Sequence, residues 1–280
     1  MELIKPVALL RSSWSFFEEN WKTLLSFAVL PFIISAIASV FFVVSGITSA
    51  YYWAIIGFVA YVAYLAVSVA FYPAITRLIH VAHSGDSEPK MLGDMIPEYY
   101  TYGFRMLWST IVLFALAILV LVGSSILLFI PGVIMMVYIS MYFNSYVIDG
   151  RKDFSALIDS YTLVKGRWWA VFWRMALLVG VCLGITVASL FVLSIILFFL
   201  SFVLPLWSIY GMWLIFQVIL QACLMSLSIT YIYKLFISLK TTRSADVKVS
   251  LFSKYVTAFL VVGIIVALIE IVGLTINRYH

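Results

Sequence analysis

Charge is scarce in this 280-residue chain. Asp, Glu, Lys and Arg make up 10% of it, 65% is hydrophobic, and the mean hydropathy is +1.15. A soluble domain is about a quarter charged, so this deficit excludes a soluble globular fold and a disordered chain. Cysteine is nearly absent too. The two present, Cys182 and Cys223, lie inside apolar runs without metal-ligand spacing, which excludes a disulfide scaffold and a structural zinc module. Catalytic signatures are lacking: the chain has no G-x-S-x-G, Walker A, H-E-x-x-H or G-x-G-x-x-G. No catalytic residue, cofactor or metal is assigned.

What the chain does have is apolar length. A helix needs about 20 apolar residues to cross the hydrocarbon of a bilayer. Seven stretches qualify: Thr23–Gly46, Tyr52–Ile75, Gly103–Ser124, Val133–Ile148, Phe172–Leu200, Leu206–Phe236 and Val256–Ile276. The expectation is an all-α, polytopic transmembrane bundle of about seven spans (six to eight), forming a single integral membrane domain over 1–280. The connectors leave no room for a separate catalytic domain of the usual size.

Lys and Arg are distributed unevenly. Sixteen of the seventeen fall before span 1, between spans 2 and 3, 4 and 5, or 6 and 7, or, for Arg105, Arg174 and Lys234, within the first or last three residues of a span bordering those connectors; only Arg278 falls on the other side. The connectors 47–51, 125–132 and 201–205 carry none. This positive-inside bias places the N-terminus inside and the C-terminus outside. It also assigns the net charge of +5 to anionic lipid headgroups rather than nucleic acid. Glu2, Glu18 and Glu19 before a long first span argue against a cleaved secretory signal. A bacterial (prokaryotic) cytoplasmic membrane is the expected location.

Two stretches read as amphipathic helices lying in the cytoplasmic interface. In Lys5–Asn20 and its continuation, Val7, Leu10, Trp14, Phe17 and Trp21 recur at helical spacing, with Arg11, Ser12, Ser15, Glu18 and Glu19 opposite. In Asp153–Arg167, Phe154, Leu157, Ile158, Tyr161 and Val164 form the apolar stripe, with Asp159, Ser160, Thr162 and Lys165 on the polar side. Gly166 ends it, and Arg167, Trp168, Trp169 and Trp173 mark headgroup depth. The expected lipid contacts are thus Trp14, Phe17, Trp21, Lys165, Arg167, Trp168, Trp169 and Trp173. The two stretches overlay at an offset of 148, matching Ala8, Leu9, Ser12 and Trp21 to Ala156, Leu157, Ser160 and Trp169. The pattern allows a parallel internal repeat, 5–100 and 153–253. Residues 83–103, rich in helix breakers, read as a cytoplasmic loop with room for one short helix.

Polar residues inside spans are few. Glu270 is the one acidic residue within an apolar span, and Gln217 and Gln221 sit one turn apart on span 6. An ionisable group at membrane depth is costly. These three therefore form a candidate intramembrane polar site, either a permease lining or an interhelical lock. Gly180, Gly184 and Ala188 make a small-residue row of the kind that lets helices approach closely, within the chain or between copies. His80, His83, Asp86 and Glu88 are metal-competent types, but Gly85 interrupts them and the spacing matches no metal motif.

The run Ile130-Pro131-Gly132, the following span, and Ala156–Trp173 (ALIDSYTLVKGRWWAVFW) carry a resemblance. Over roughly residues 105–200 the chain resembles the membrane domain that accompanies some bacterial glycerophosphodiester phosphodiesterases, and its stand-alone YciC-like relatives. That resemblance implies a multi-helix bacterial membrane protein. The barrel that carries phosphodiesterase chemistry is not in these 280 residues, so neither the activity nor any catalytic residue follows. The leading expectation is a non-enzymatic scaffold, accessory subunit or envelope-maintenance component. Its partners would be anionic lipids, a membrane protein or a second copy. A small permease or channel is second, and a lipid-modifying enzyme third.

Overall fold

The computed structural model describes residues 3–48, 51–84, 92–112, 129–150, 154–242 and 261–265, with isolated positions 115, 118, 119 and 258. Among them there are helices and turns but no strand. The longer helices are α1 (Pro6–Thr48), α2 (Tyr51–Ser84), α3 (Leu92–Arg105), α4 (Phe129–Ile139), α5 (Tyr142–Asp149), α6 (Phe154–Val164), α7 (Trp168–Leu200) and α8 (Leu206–Thr241). Five described segments are long and apolar enough to cross a membrane: α1, Tyr51–His83, Gly132–Asp149, α7 and α8. Of the expected span Gly103–Ser124, residues 103–112, 115, 118 and 119 are described and are helical apart from a turn at Met106; the expected span Val256–Ile276 lies largely outside the described residues.

The chain forms two compact units. One comprises Ile4–Leu107 with Arg174–Leu235, and the other Trp108–Trp173 with Met1–Leu3 and Phe236–His280.

In the first unit α1 and α2 form a long hairpin. Ala70, Phe71, Ala74, Ile75, Leu78 and Ile79 of α2 are buried, as are Leu9, Leu24, Phe27 and Ala28 of α1. The expected interfacial helix at Lys5–Asn20 is not separate: it continues unbroken into the first span as 43 residues of α1. No Gly or Pro stands between Asn20 and Thr23 to interrupt it. This part of α1 has two apolar faces. Val7, Trp14 and Trp21 point outward, while Leu9, Phe16, Phe17 and Leu24 are buried.

The short helix allowed for in the loop is α3. It lies on α2 where Gly103 meets the Ala70 backbone, at a spacing that leaves no room for a Cβ. Tyr100 stacks on Phe27, ring centroids 5.8 Å apart, and donates its hydroxyl to the Phe27 carbonyl at 2.8 Å. Burial raises the Tyr100 phenol pKa well above its ordinary 10.0, so it remains a neutral donor.

The second unit holds a broken helix. The expected span Val133–Ile148 is interrupted at Ser140 and Met141, between α4 and α5. A side chain from another helix bridges the gap in the backbone ladder. Ser160 of α6 accepts the Met141 N–H at 3.1 Å and donates to the Tyr138 carbonyl at 2.6 Å. Gly150 ends α5 at φ 63°, its N–H bonded to the Ser145 carbonyl, and Gly166 turns the chain after α6 at φ 79°. Both are left-handed conformations that glycine adopts without strain.

Candidate functional site

Near one end of the first unit, the termini of four helices are tied by polar side chains. Arg174 of α7 is 7% exposed and donates to the Ile4 carbonyl, with Nε at 3.0 Å. Its own carbonyl accepts the Tyr231 hydroxyl of α8 at 3.0 Å. Lys234 of α8 donates to the Ser12 carbonyl of α1 and lies over the Phe16 ring at 5.3 Å. His80 of α2 shares a hydrogen bond with the Tyr233 hydroxyl at 3.0 Å, and His83 packs edge-on against the same ring. Tyr231 and Tyr233 are fully buried.

A buried cation is costly unless its donors are met. Here backbone carbonyls meet them, so Arg174 and Lys234 serve as ties. Both histidines are engaged with Tyr233, while Asp86 and Glu88 lie outside the described residues. Among the described residues no three His, Cys, Asp or Glu gather as a metal site.

The intramembrane candidates are partly described. Gln221 Nε2 donates to Gln217 Oε1 at 3.3 Å. Both line a cavity of about 160 Å³ with Ser35 and Ser39 of α1, Trp213, and apolar neighbours. The two serines were not expected there. Their only sequence signal is an i, i+4 pair of hydroxyls within an otherwise apolar run. Ser39 bonds the Ser35 carbonyl at 2.9 Å, which satisfies its own proton and leaves oxygen lone pairs toward the notch. From either end of α8, Gln217 and Gln221 are more than two turns inward. Glu270 lies outside the described residues.

Trp14, Trp21, Trp169 and Trp173 are exposed at 47%, 47%, 66% and 62%, as a belt residue needs to be. Phe17 is instead buried, beside Trp14 at 5.8 Å. Trp168 is half-buried: its indole donates to the Ile134 carbonyl at 3.2 Å and it stacks on Phe172. Lys165 is exposed and reaches over the Tyr161 ring. Arg167 is tied to the side chain and carbonyl of Thr242. Gly180, Gly184 and Ala188 lie on an exposed face of α7, with open space beyond both glycines. Close backbone approach occurs instead at Gly103, against the Ala70 carbonyl, and at Gly263, against the Leu119 carbonyl.

The polar side of α6 turns inward, contrary to the interfacial expectation. Asp159, Ser160 and Thr162 are 7%, 0% and 6% exposed. Ser145 donates to Asp159 Oδ2 at 2.7 Å, and Ser160 holds the α4–α5 break. Ser160 turns in because the break frees backbone groups that it satisfies; Asp159 takes the Ser145 hydroxyl, and Thr162 donates to the Asp159 carbonyl of its own helix. Asp149 pairs with Lys240 at the rim of the same unit.

No family model matches the chain, and no curated protein or solved structure does.

Proposed function

We propose that the chain is a non-enzymatic membrane scaffold, accessory subunit or envelope-maintenance component of a bacterial cytoplasmic membrane. Anionic lipids at its inner face, or a membrane-protein partner, are its ligands. One observation carries this reading. The N-terminal end of α1, the C-terminal end of α2, the Arg174 region of α7 and the Lys234 region of α8 meet in one polar collar. These are the basic ends, and Trp14 and Trp21 stand exposed on α1 beside them. Basic residues gathered at one end, with an indole belt, fit an inner-leaflet surface. In this reading the chain has seven spans, with its N-terminus inside and C-terminus outside, and α6 runs along the inner side. The resemblance over 105–200 to the phosphodiesterase-associated membrane domain accords with it.

The test is lipid retention in nanodiscs containing phosphatidylglycerol or only phosphatidylcholine. The expected result is selective retention of phosphatidylglycerol; equal retention of both removes the lipid reading. A reporter fused after His280 should sit outside, and an inside result refutes the seven-span topology.

The notch favours a second reading, a small permease or channel. Two carboxamides and two serines lining a 160 Å³ cavity at membrane depth form a polar surface that hydrocarbon does not solvate. Flux through proteoliposomes that Gln217→Leu/Gln221→Leu abolishes is the result this reading requires.

A further inference from the structure

A second polar cavity lies within the first unit, between the inner end of α2 and α3. It measures about 370 Å³ and is lined by Arg77, Glu98, Tyr99, Thr101, Tyr102 and Arg105, with Pro97 at the edge. We propose that this pocket binds the phosphodiester of a membrane-lipid headgroup, its oxyanion held between Arg77 and Arg105. The inference rests on the inner-leaflet reading above and assigns it one site.

The geometry points this way for three reasons. Arg77 stacks on the Tyr102 ring, guanidinium carbon 4.2 Å from the centroid. Stacking uses the face of a guanidinium and leaves its in-plane N–H donors available, the edge that grips phosphate oxygens in pairs. Among the described residues neither Arg77 nor Arg105 has a carboxylate ion-pair partner. The wall that carries Arg105 is held in place two and five residues earlier, by Gly103 on the Ala70 backbone and Tyr100 on Phe27.

Depth fits as well. Arg77 lies about 39 Å along α2 from Tyr51 at 1.5 Å per residue, beyond the ~30 Å of hydrocarbon and therefore among headgroups. Two guanidiniums against one carboxylate leave a single net positive charge in the lining. That balances a phosphodiester, which carries one negative charge, better than a phosphomonoester. The Thr101 hydroxyl gives its proton to the Pro97 carbonyl at 2.7 Å, so the donors facing an oxyanion are those of the two guanidiniums.

The experiment measures lipid binding by native mass spectrometry of the full chain released from nanodiscs, with phosphatidylglycerol, phosphatidylcholine and inorganic phosphate as probes. Arg77→Gln/Arg105→Gln should weaken phosphatidylglycerol binding about tenfold or more, as losing two charge-assisted contacts implies. Lys5→Gln/Arg11→Gln removes the same charge from exposed positions on the same side and should change binding less than about twofold if attraction at this site is local. Thermal unfolding in detergent should stay within a few degrees of wild type for both, since all four side chains are exposed and the Arg77 contact with the Tyr102 ring is a weak one at an exposed position. Equal losses in the two variants overturn the pocket while leaving the inner-leaflet reading intact. A wild type that shows no preference for phosphatidylglycerol overturns both. Inorganic phosphate binding as tightly as the lipid overturns the headgroup assignment in favour of a soluble anion.

Discussion

Adding one methyl group at Gly103 and at Gly180 poses two different problems to the same fold. In a helix interior, Gly→Ala gains up to about 1 kcal/mol from reduced backbone freedom. At Gly180 the new Cβ meets nothing within 4 Å, so Gly180→Ala should keep that gain. At Gly103 the Cβ would overlap the carbonyl oxygen and carbon of Ala70. These are backbone atoms of α2 and cannot swing aside, so α3 must retreat. Overpacking of this kind costs about 1–3 kcal/mol. The retreat also stretches the hydrogen bond from Tyr100 to Phe27, which contributes about 0.5–1.5 kcal/mol net. The helix-propensity gain is common to both variants and cancels in their difference. That difference should therefore be about 1.5–4.5 kcal/mol, with Gly103→Ala the less stable. Reversible unfolding in mixed micelles, followed by circular dichroism, measures it. Two variants of equal stability would refute the close packing of α3 on α2, and with it the rigid wall assigned to Arg105.

Ser160→Ala should destabilise the second unit by about 1–3 kcal/mol, because it leaves the buried Met141 N–H without an acceptor; a difference below a few tenths in the same unfolding assay counts against the α6 tie. Asp149→Asn should cost at most about 1 kcal/mol, and the loss should shrink in high salt, since Lys240 of that pair is 48% exposed. The buried Tyr100 phenol ionises later in the fold than in the unfolded chain. Its contribution is therefore fully present below pH 10 and is lost as pH rises past the folded-state value, so Tyr100→Phe should flatten the alkaline end of a stability–pH profile. If the notch is structural, Gln217→Leu/Gln221→Leu should leave unfolding within about 1 kcal/mol of wild type; proteoliposome flux lost on that substitution supports the permease instead.

The apolar runs of α1, α2, α7 and α8 were legible because a bilayer demands length and hydropathy, and both are written locally. Exposure of Trp14, Trp21, Trp169 and Trp173 was legible for the same reason. The direction of the polar side of α6 was not. Periodicity separates Asp159, Ser160 and Thr162 from the apolar stripe, but which side meets protein depends on a break 19 residues earlier, and no Gly or Pro announces that break. The start of α1 misled in another way: a periodic stripe marks one apolar face and is silent about a second, formed here by Leu9, Phe16 and Leu24. The small-residue row on α7 fits a packing motif, yet whether a neighbour arrives there is a tertiary fact. Ser35 and Ser39 gained meaning only when α8 brought Gln217 and Gln221 beside them.

The hydroxyl that closes the α4–α5 break has a consequence for synthesis. Ser160 is made 19 residues after Met141, which at about 5–20 residues per second is a delay of roughly 1–4 s. During that interval the freed Met141 amide has no acceptor from α6, and hydrocarbon offers none. The segment 132–149 thus gains little by leaving the insertion machinery alone. It becomes comfortable in lipid only when α6 has emerged and folded back onto it. The second unit is therefore a cotranslational pair, with the later helix licensing the earlier one.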